Sequence, residues 1–117
     1  MNYLVIKGHK SNYPNPISLR KDEKIIVGKK YAGKEGWENW IYCYKIDESQ
    51  EGWVPEQIIK FSSKYGIIKE NYTAKELTIK AGKKLKGNYE LNGWVWCKDT
   101  EGREGWIPRM NLKCLEK

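Results

Sequence analysis

One cassette occurs twice in the chain. Residues 40–55 read WIYCYKIDESQEGWVP and residues 94–108 read WVWCKDTEGREGWIP. Each is an aromatic-rich strand, a polar turn, then Glu-Gly-Trp, a β-branched residue and Pro. Trp40 matches Trp94, Cys43 matches Cys97, Trp53 matches Trp106 and Pro55 matches Pro108. A repeat constrains architecture before any single motif is weighed, because the same local pattern must close the same local structure twice.

The repeat divides 117 residues into two halves of roughly 60 or fewer. Domains of that size bury only roughly 60% of their unfolded surface and are individually marginal. The expected division is a first unit over 1–61, a linker at 62–64 and a second unit over 65–117. Three extended residues reach only about 10 Å, so the units are expected to be neighbours.

The pattern is β throughout. Short runs rich in Val, Ile, Tyr and Trp alternate with Gly, Asn, Pro and Asp turns. Strands are expected at 3–7, 24–29, 39–45, 51–54 and 57–59, and again at 65–69, 83–88, 93–98, 104–107 and 110–114. EQII and RMNL, which follow the two cassette prolines, can each open on a single 3₁₀ turn. No helical periodicity runs for ten residues. Five short strands in so few residues predict a small, partly open barrel.

Alternation along the strands assigns faces. Cys43, Val54, Cys97 and Ile107 are expected to point inward, and Trp40, Trp53, Trp94 and Trp106 outward. Exposed aromatic surface of that extent marks an interaction face.

The order of segments resembles the Src homology 3 (SH3) domain, twice over. Glu76-Leu77-Thr78-Ile79-Lys80-Ala81-Gly82 is similar to the family's ELSFxxGD motif; Ile17-Ser18-Leu19 fits it in the first repeat, with Asp22 at the Gly position. Trp40-Ile41-Tyr42-Cys43 and Trp94-Val95-Trp96-Cys97 resemble WWxA. Gly52-Trp53-Val54-Pro55 and Gly105-Trp106-Ile107-Pro108 resemble the last motif. The resemblance is nearest to the variant type of small bacterial proteins. It implies an all-β fold of two small five-stranded SH3-like barrels in tandem.

The same resemblance implies peptide binding, in which a polyproline II helix docks between aromatic ridges. By position, Trp40, Trp53, Pro55 and Ile58 match groove residues in the first repeat. Trp94, Trp106, Pro108 and Asn111 match in the second. The two tyrosines of the family's first motif fall on Lys7 and His9, and on Lys69 and Asn71; the tyrosine of its last motif falls on Ile58 and Asn111. Tyr13 and Tyr72, in the long early loops, are candidates to replace a missing wall. Lys7, His9 and Lys10 stand where the family carries acids, so the expected partner is a protein or peptide that is not strongly basic.

Charge is uneven. Residues 1–62 hold ten Lys/Arg against eight Asp/Glu, and residues 63–117 hold twelve against seven. The basic second half makes single-stranded nucleic acid an alternative partner, supported by Lys80, Lys83, Lys84 and Lys86. A further alternative is cell-wall glycan. The three cysteines have no CxxC or Cys-His spacing, so no metal or other cofactor is expected, and the thiols read as reduced. No apolar run approaches the roughly 18 residues of a membrane span, and the expected location is cytoplasmic. No phosphate loop, HExxH or nucleophile elbow is present, and His9 is the only histidine. The chain reads as a binding module and not an enzyme.

Overall fold

The computed structural model describes residues 1–11, 15–31 and 39–115. Among them there is no α-helix. Twelve strands form two five-stranded antiparallel sheets and one two-stranded ribbon. The strands are β1 (Asn2–Val5), β2 (Ser18–Leu19), β3 (Lys24–Lys30), β4 (Trp40–Lys45), β5 (Glu51–Pro55) and β6 (Ile59–Ser62). They continue as β7 (Tyr65–Ile68), β8 (Tyr72–Thr73), β9 (Lys84–Leu91), β10 (Trp94–Lys98), β11 (Glu104–Pro108) and β12 (Leu112–Cys114). Pro55 and Pro108 each start a single 3₁₀ turn, over Glu56–Ile58 and Arg109–Asn111. Proline presets the backbone angle at such a start and cannot continue the ladder. The expected strands at 57–59 and 110–114 therefore begin as these turns, as the sequence allowed.

The architecture is all-β with two SH3-like sheets, as the repeat predicted. The division of the chain is different. One compact unit is residues 15–74; the other is built from residues 1–14 and 75–117. The expected boundary at 62–64 is instead a tight turn. Ser62 pairs with Tyr65, and Ser63 takes the left-handed conformation (φ 58°) between them. A two-residue connection forces β7 back along β6. Strand β7 thus takes the place in the first sheet, ordered β5-β4-β3-β7-β6. Strand β1 is left to fill the equivalent place in the other, ordered β11-β10-β9-β1-β12.

Registers make this equivalence explicit. Tyr3 lies opposite Leu85 and Val5 opposite Leu112. Gly66 lies opposite Ile25 and Ile68 opposite Ile59. The Val5 carbonyl accepts the Gly82 N–H at 2.8 Å, and that of Ile68 accepts Asp22 N–H at 2.6 Å. Gly82 and Asp22 both sit at positive φ (93° and 73°). Aspartate is among the few residues that visit this region readily, which explains how the first repeat dispenses with the glycine.

Each unit has its own core. Val5, Leu77, Ile79, Leu85, Val95, Cys97, Ile107 and Leu112 close one, with Tyr3 among them. Ile17, Leu19, Ile25, Ile41, Cys43, Val54, Ile58, Ile59 and Ile68 close the other. The inward assignment of Cys43, Val54, Cys97 and Ile107 holds: all four are fully buried. Burial pushes the Cys43 thiol up to about 12 and that of Cys97 to about 11, because an ionised sulfur has no solvation there.

Size is matched across the exchanged strands. In one core the Tyr3 ring fills the space over Gly87, where any side-chain carbon would collide with it. In the other, Val27 stands at the position equivalent to Gly87, and Ile59 and Val27 fill the space over Gly66, 2.6 and 3.1 Å from where that glycine's Cβ would lie. Large meets small in each unit, with the roles reversed.

Candidate functional site

In the unit formed by residues 1–14 and 75–117, the chain leaving β1 runs beside the segment that leads into β9. His9 and Ile79 exchange backbone hydrogen bonds at 2.8 Å in each direction. This places His9 Nε2 2.6 Å from Glu76 Oε1, with both side chains largely buried (14% and 11% exposed). The imidazole meets Trp94 edge-to-face, with ring centroids 5.6 Å apart. Trp94, half-buried at the start of β10, lies directly opposite Pro108. Asn111 ends the following 3₁₀ turn. Its carbonyl accepts Ile6 N–H at 2.9 Å and its Nδ2 donates to the Gly8 carbonyl at 3.3 Å. Asn111 is therefore buried and latches the turn to the strand, rather than forming an open pocket wall.

In the 15–74 unit the aromatic centre is Trp53. Tyr31 and Tyr42 pack edge-on against it at 5.2 and 5.0 Å, and the Tyr72 hydroxyl donates to its carbonyl at 3.3 Å. Tyr42 also donates to Glu51 at 2.7 Å. The other unit repeats this plan. Trp96 donates to Glu104 at 2.9 Å and packs edge-on to Trp106 at 5.3 Å, and Tyr89 also packs edge-on to Trp106 at 5.4 Å. Aromatic pairs in this geometry gain beyond their buried area.

Several sequence expectations require correction. Trp40 and Trp106 lie on the outward side of their strands but are only 8% and 4% exposed. Trp106 is closed over by Tyr89 and Trp96, and its backbone is pinned by hydrogen bonds to Lys75 and Leu77. Trp40 is buried at the start of β4, and its indole N–H has no hydrogen-bond partner among the described residues. Pro55 and Pro108 are buried, and Ile58 belongs to the core. Tyr13 lies outside the described residues.

The grouping of residues also changes. His9 joins Trp94, Pro108 and Asn111, not the first-repeat tryptophans; Tyr72 joins Trp53. Leu19 pairs with Tyr72 where Ile79 pairs with His9. Tyr72, not Asn71, is therefore the counterpart of His9. Glu76 was missed because its partner is 67 residues away, across the exchange. Tyr42 and Trp96 had a signal in the strand alternation, which places them on the same outward face as the cassette tryptophans, whereas Tyr89 lies beyond the strand expected at 83–88 and is brought opposite Trp96 by a bulge.

Neither the curated proteins nor the solved structures compared with the chain give a match. The family model described as the variant SH3 domain matches residues 3–62, just over half of the 117 residues. Its match joins β1 to strands β2–β6, the contiguous order from which the exchanged architecture departs. The five-stranded sheets, their 3₁₀ turns and this match agree, and the chain belongs to the variant SH3 domain family.

Proposed function

We propose that the protein is a non-catalytic module that takes an extended protein or peptide segment across the Trp94 face of the 1–14/75–117 unit. SH3 domains are in general binding modules for proteins or peptides, and the reading here narrows that to one surface. The observation that carries it is the half-buried Trp94 indole, which packs edge-to-face with the His9 imidazole and starts β10 opposite Pro108. A flat apolar ring with its orientation fixed presents area to a ligand at little entropic cost. Glu76, which shares His9 with Trp94, is already engaged by that imidazole at 2.6 Å. A basic ligand would have to compete for that carboxylate, so a neutral or acidic segment fits better. The Trp53 cluster of the 15–74 unit supports a second, weaker face built on Tyr31 and Tyr72.

An array of proline-containing peptides with neutral, acidic or basic flanks tests this. The intact protein should retain a subset with neutral or acidic flanks. Trp94→Ala should lose those spots, about tenfold or more in affinity for an anchor aromatic, while its thermal midpoint moves little. A blank array, or spots that survive Trp94→Ala, would remove the proposal.

A further inference from the structure

The outward face of the β11-β10-β9-β1-β12 sheet carries two kinds of surface side by side. At one end is a block of lysines set by the strand registers. Lys86 lies opposite Lys98 on β10 and opposite Asn2 on β1. One step along, Leu4 lies between Lys84 on β9 and Lys113 on β12. All four lysines are exposed, and none has a carboxylate within 4.0 Å among the described residues. Like charges directly opposed across a sheet are destabilising, so the Lys86–Lys98 pair gives up stability at this place. The unit as a whole holds twelve Lys/Arg against six Asp/Glu, a net of +6, whereas residues 15–74 hold ten against nine.

Three of these lysines, Lys84, Lys86 and Lys98, rim a shallow cleft of about 430 Å³, to which Asn2, Leu85, Thr100 and Leu115 also contribute. One carboxylate, Asp99, also reaches its wall. That group is occupied by the Glu101 and Arg103 backbone N–H groups at 2.9 Å and by Arg103 Nε at 2.7 Å. Its charge is therefore already compensated by Arg103. Glu104, opposite Lys98, accepts the Trp96 indole N–H.

The adjoining rung of the same face is aromatic. A bulge between Trp96 and Cys97 brings Tyr89 opposite Trp96, next to the Lys86–Lys98 pair. Tyr89 is 56% exposed and braced edge-on by Trp106. Successive same-face positions on a strand lie roughly 7 Å apart, so an exposed ring and a lysine pair are neighbours.

We propose that this face binds single-stranded nucleic acid, with Lys84, Lys86, Lys98 and Lys113 meeting phosphates and Tyr89 stacking on a base. Charge complementarity alone admits any polyanion. The braced, exposed ring beside the lysines favours a ligand that pairs each negative charge with a flat π surface, which a strand of nucleotides does and an acidic polypeptide does not. Trp94, Trp96 and Lys98 alternate along one face of β10, so the two surfaces adjoin, but this proposal rests on the lysines and Tyr89 and not on a peptide at Trp94.

Fluorescence anisotropy of the full chain with labelled mixed-sequence 12-mers of DNA and RNA tests it. At about 50 mM salt the double variant Lys86→Gln, Lys98→Gln should bind at least about fivefold more weakly. Its salt slope should be shallower by about 1.4, the counterions of two single-strand phosphates. Tyr89→Ala should also weaken binding, by about fivefold or more, with the circular dichroism spectrum unchanged. Peptide retention at Trp94 should be unaffected in the double variant. Absence of oligonucleotide binding, or oligonucleotide binding insensitive to Tyr89→Ala, would overturn the proposal. So would equal competition by polyglutamate, which would identify an acidic-polypeptide surface instead.

Discussion

At the scale of single residues, the inward cysteines carry a measurable consequence. Cys43 and Cys97 occupy equivalent core positions, each with its sulfur 3.5 Å from the carbonyl two residues earlier. Burial holds both thiols protonated far above the ordinary cysteine range. A thiol reagent at pH 8 should therefore modify one cysteine quickly, Cys114, which is half-buried; the other two should react only on unfolding. Three fast thiols would contradict the core assignment. The pH dependence follows by linkage. An acid whose folded pKa lies above its unfolded value contributes stability that is complete below the unfolded value and declines above it. Thermal stability should accordingly fall from about pH 9 towards the folded values of about 11 and 12, and the Cys43→Ala, Cys97→Ala variant should show a shallower fall. Strand alternation was enough to place these cysteines. It did not reveal that Trp106 is covered, because the ring that covers it, Tyr89, is brought there by a bulge whose register no local pattern encodes.

At the scale of elements, nine strands and both 3₁₀ turns were legible in the sequence; the short β2 and β8 were not, β6 shares only Ile59 with the strand expected at 57–59, and the partners of β1 and β7 were not legible either. Local periodicity sets which residues are strand; tertiary fit decides what they pair with. Here the deciding fit is the reciprocal pair Tyr3 with Gly87 and Gly66 with Val27. If each repeat kept its own first strand, Tyr3 would meet Val27 in an overfilled core and Gly66 would face Gly87 across a void. Both errors are costly, on the order of 1–3 kcal/mol for overpacking and more for a large cavity. Gly87→Val should therefore destabilise the 1–14/75–117 unit by about 1–3 kcal/mol. Adding Tyr3→Gly should recover part of that loss, because it recreates the pairing of the other core. The coupling should be about 0.5–3 kcal/mol in a double-mutant cycle by chemical denaturation. Strict additivity of the two changes would show that the Tyr3 ring and Gly87 do not select each other. The same misreading of strand partners hid the His9–Glu76–Trp94 arrangement, since its members come from both repeats.

At the scale of the whole molecule, the exchange turns a tandem repeat into an insertion. Residues 15–74 are one continuous barrel, and they enter the other between residues 14 and 75. The two ends of the inserted segment are already side by side. Ala74 N–H donates to the Ile17 carbonyl at 2.9 Å, Ser18 pairs with Thr73, and their hydroxyls are 2.9 Å apart. Adjacent termini are what allow a domain to sit within a host at little cost to either. The inserted segment carries all the strands of its sheet, including the central β7 and β3. A fragment of residues 15–74 should therefore melt cooperatively by itself. The fragment 3–62, which spans the family match, lacks β7 and would have to use β1 in its place, setting the Tyr3 ring against Val27. It should be less stable than 15–74 by about 1–3 kcal/mol, the usual cost of overpacking. The fragment 65–117 lacks β1, a central strand of its sheet, and leaves Leu85 and Leu112 without the residues between them. It should remain unfolded by circular dichroism until a peptide of residues 1–11 is added. Cooperative melting of 65–117 alone, or a 3–62 fragment as stable as 15–74, would mean that the repeats fold in sequence order and that the exchange is not written into the core.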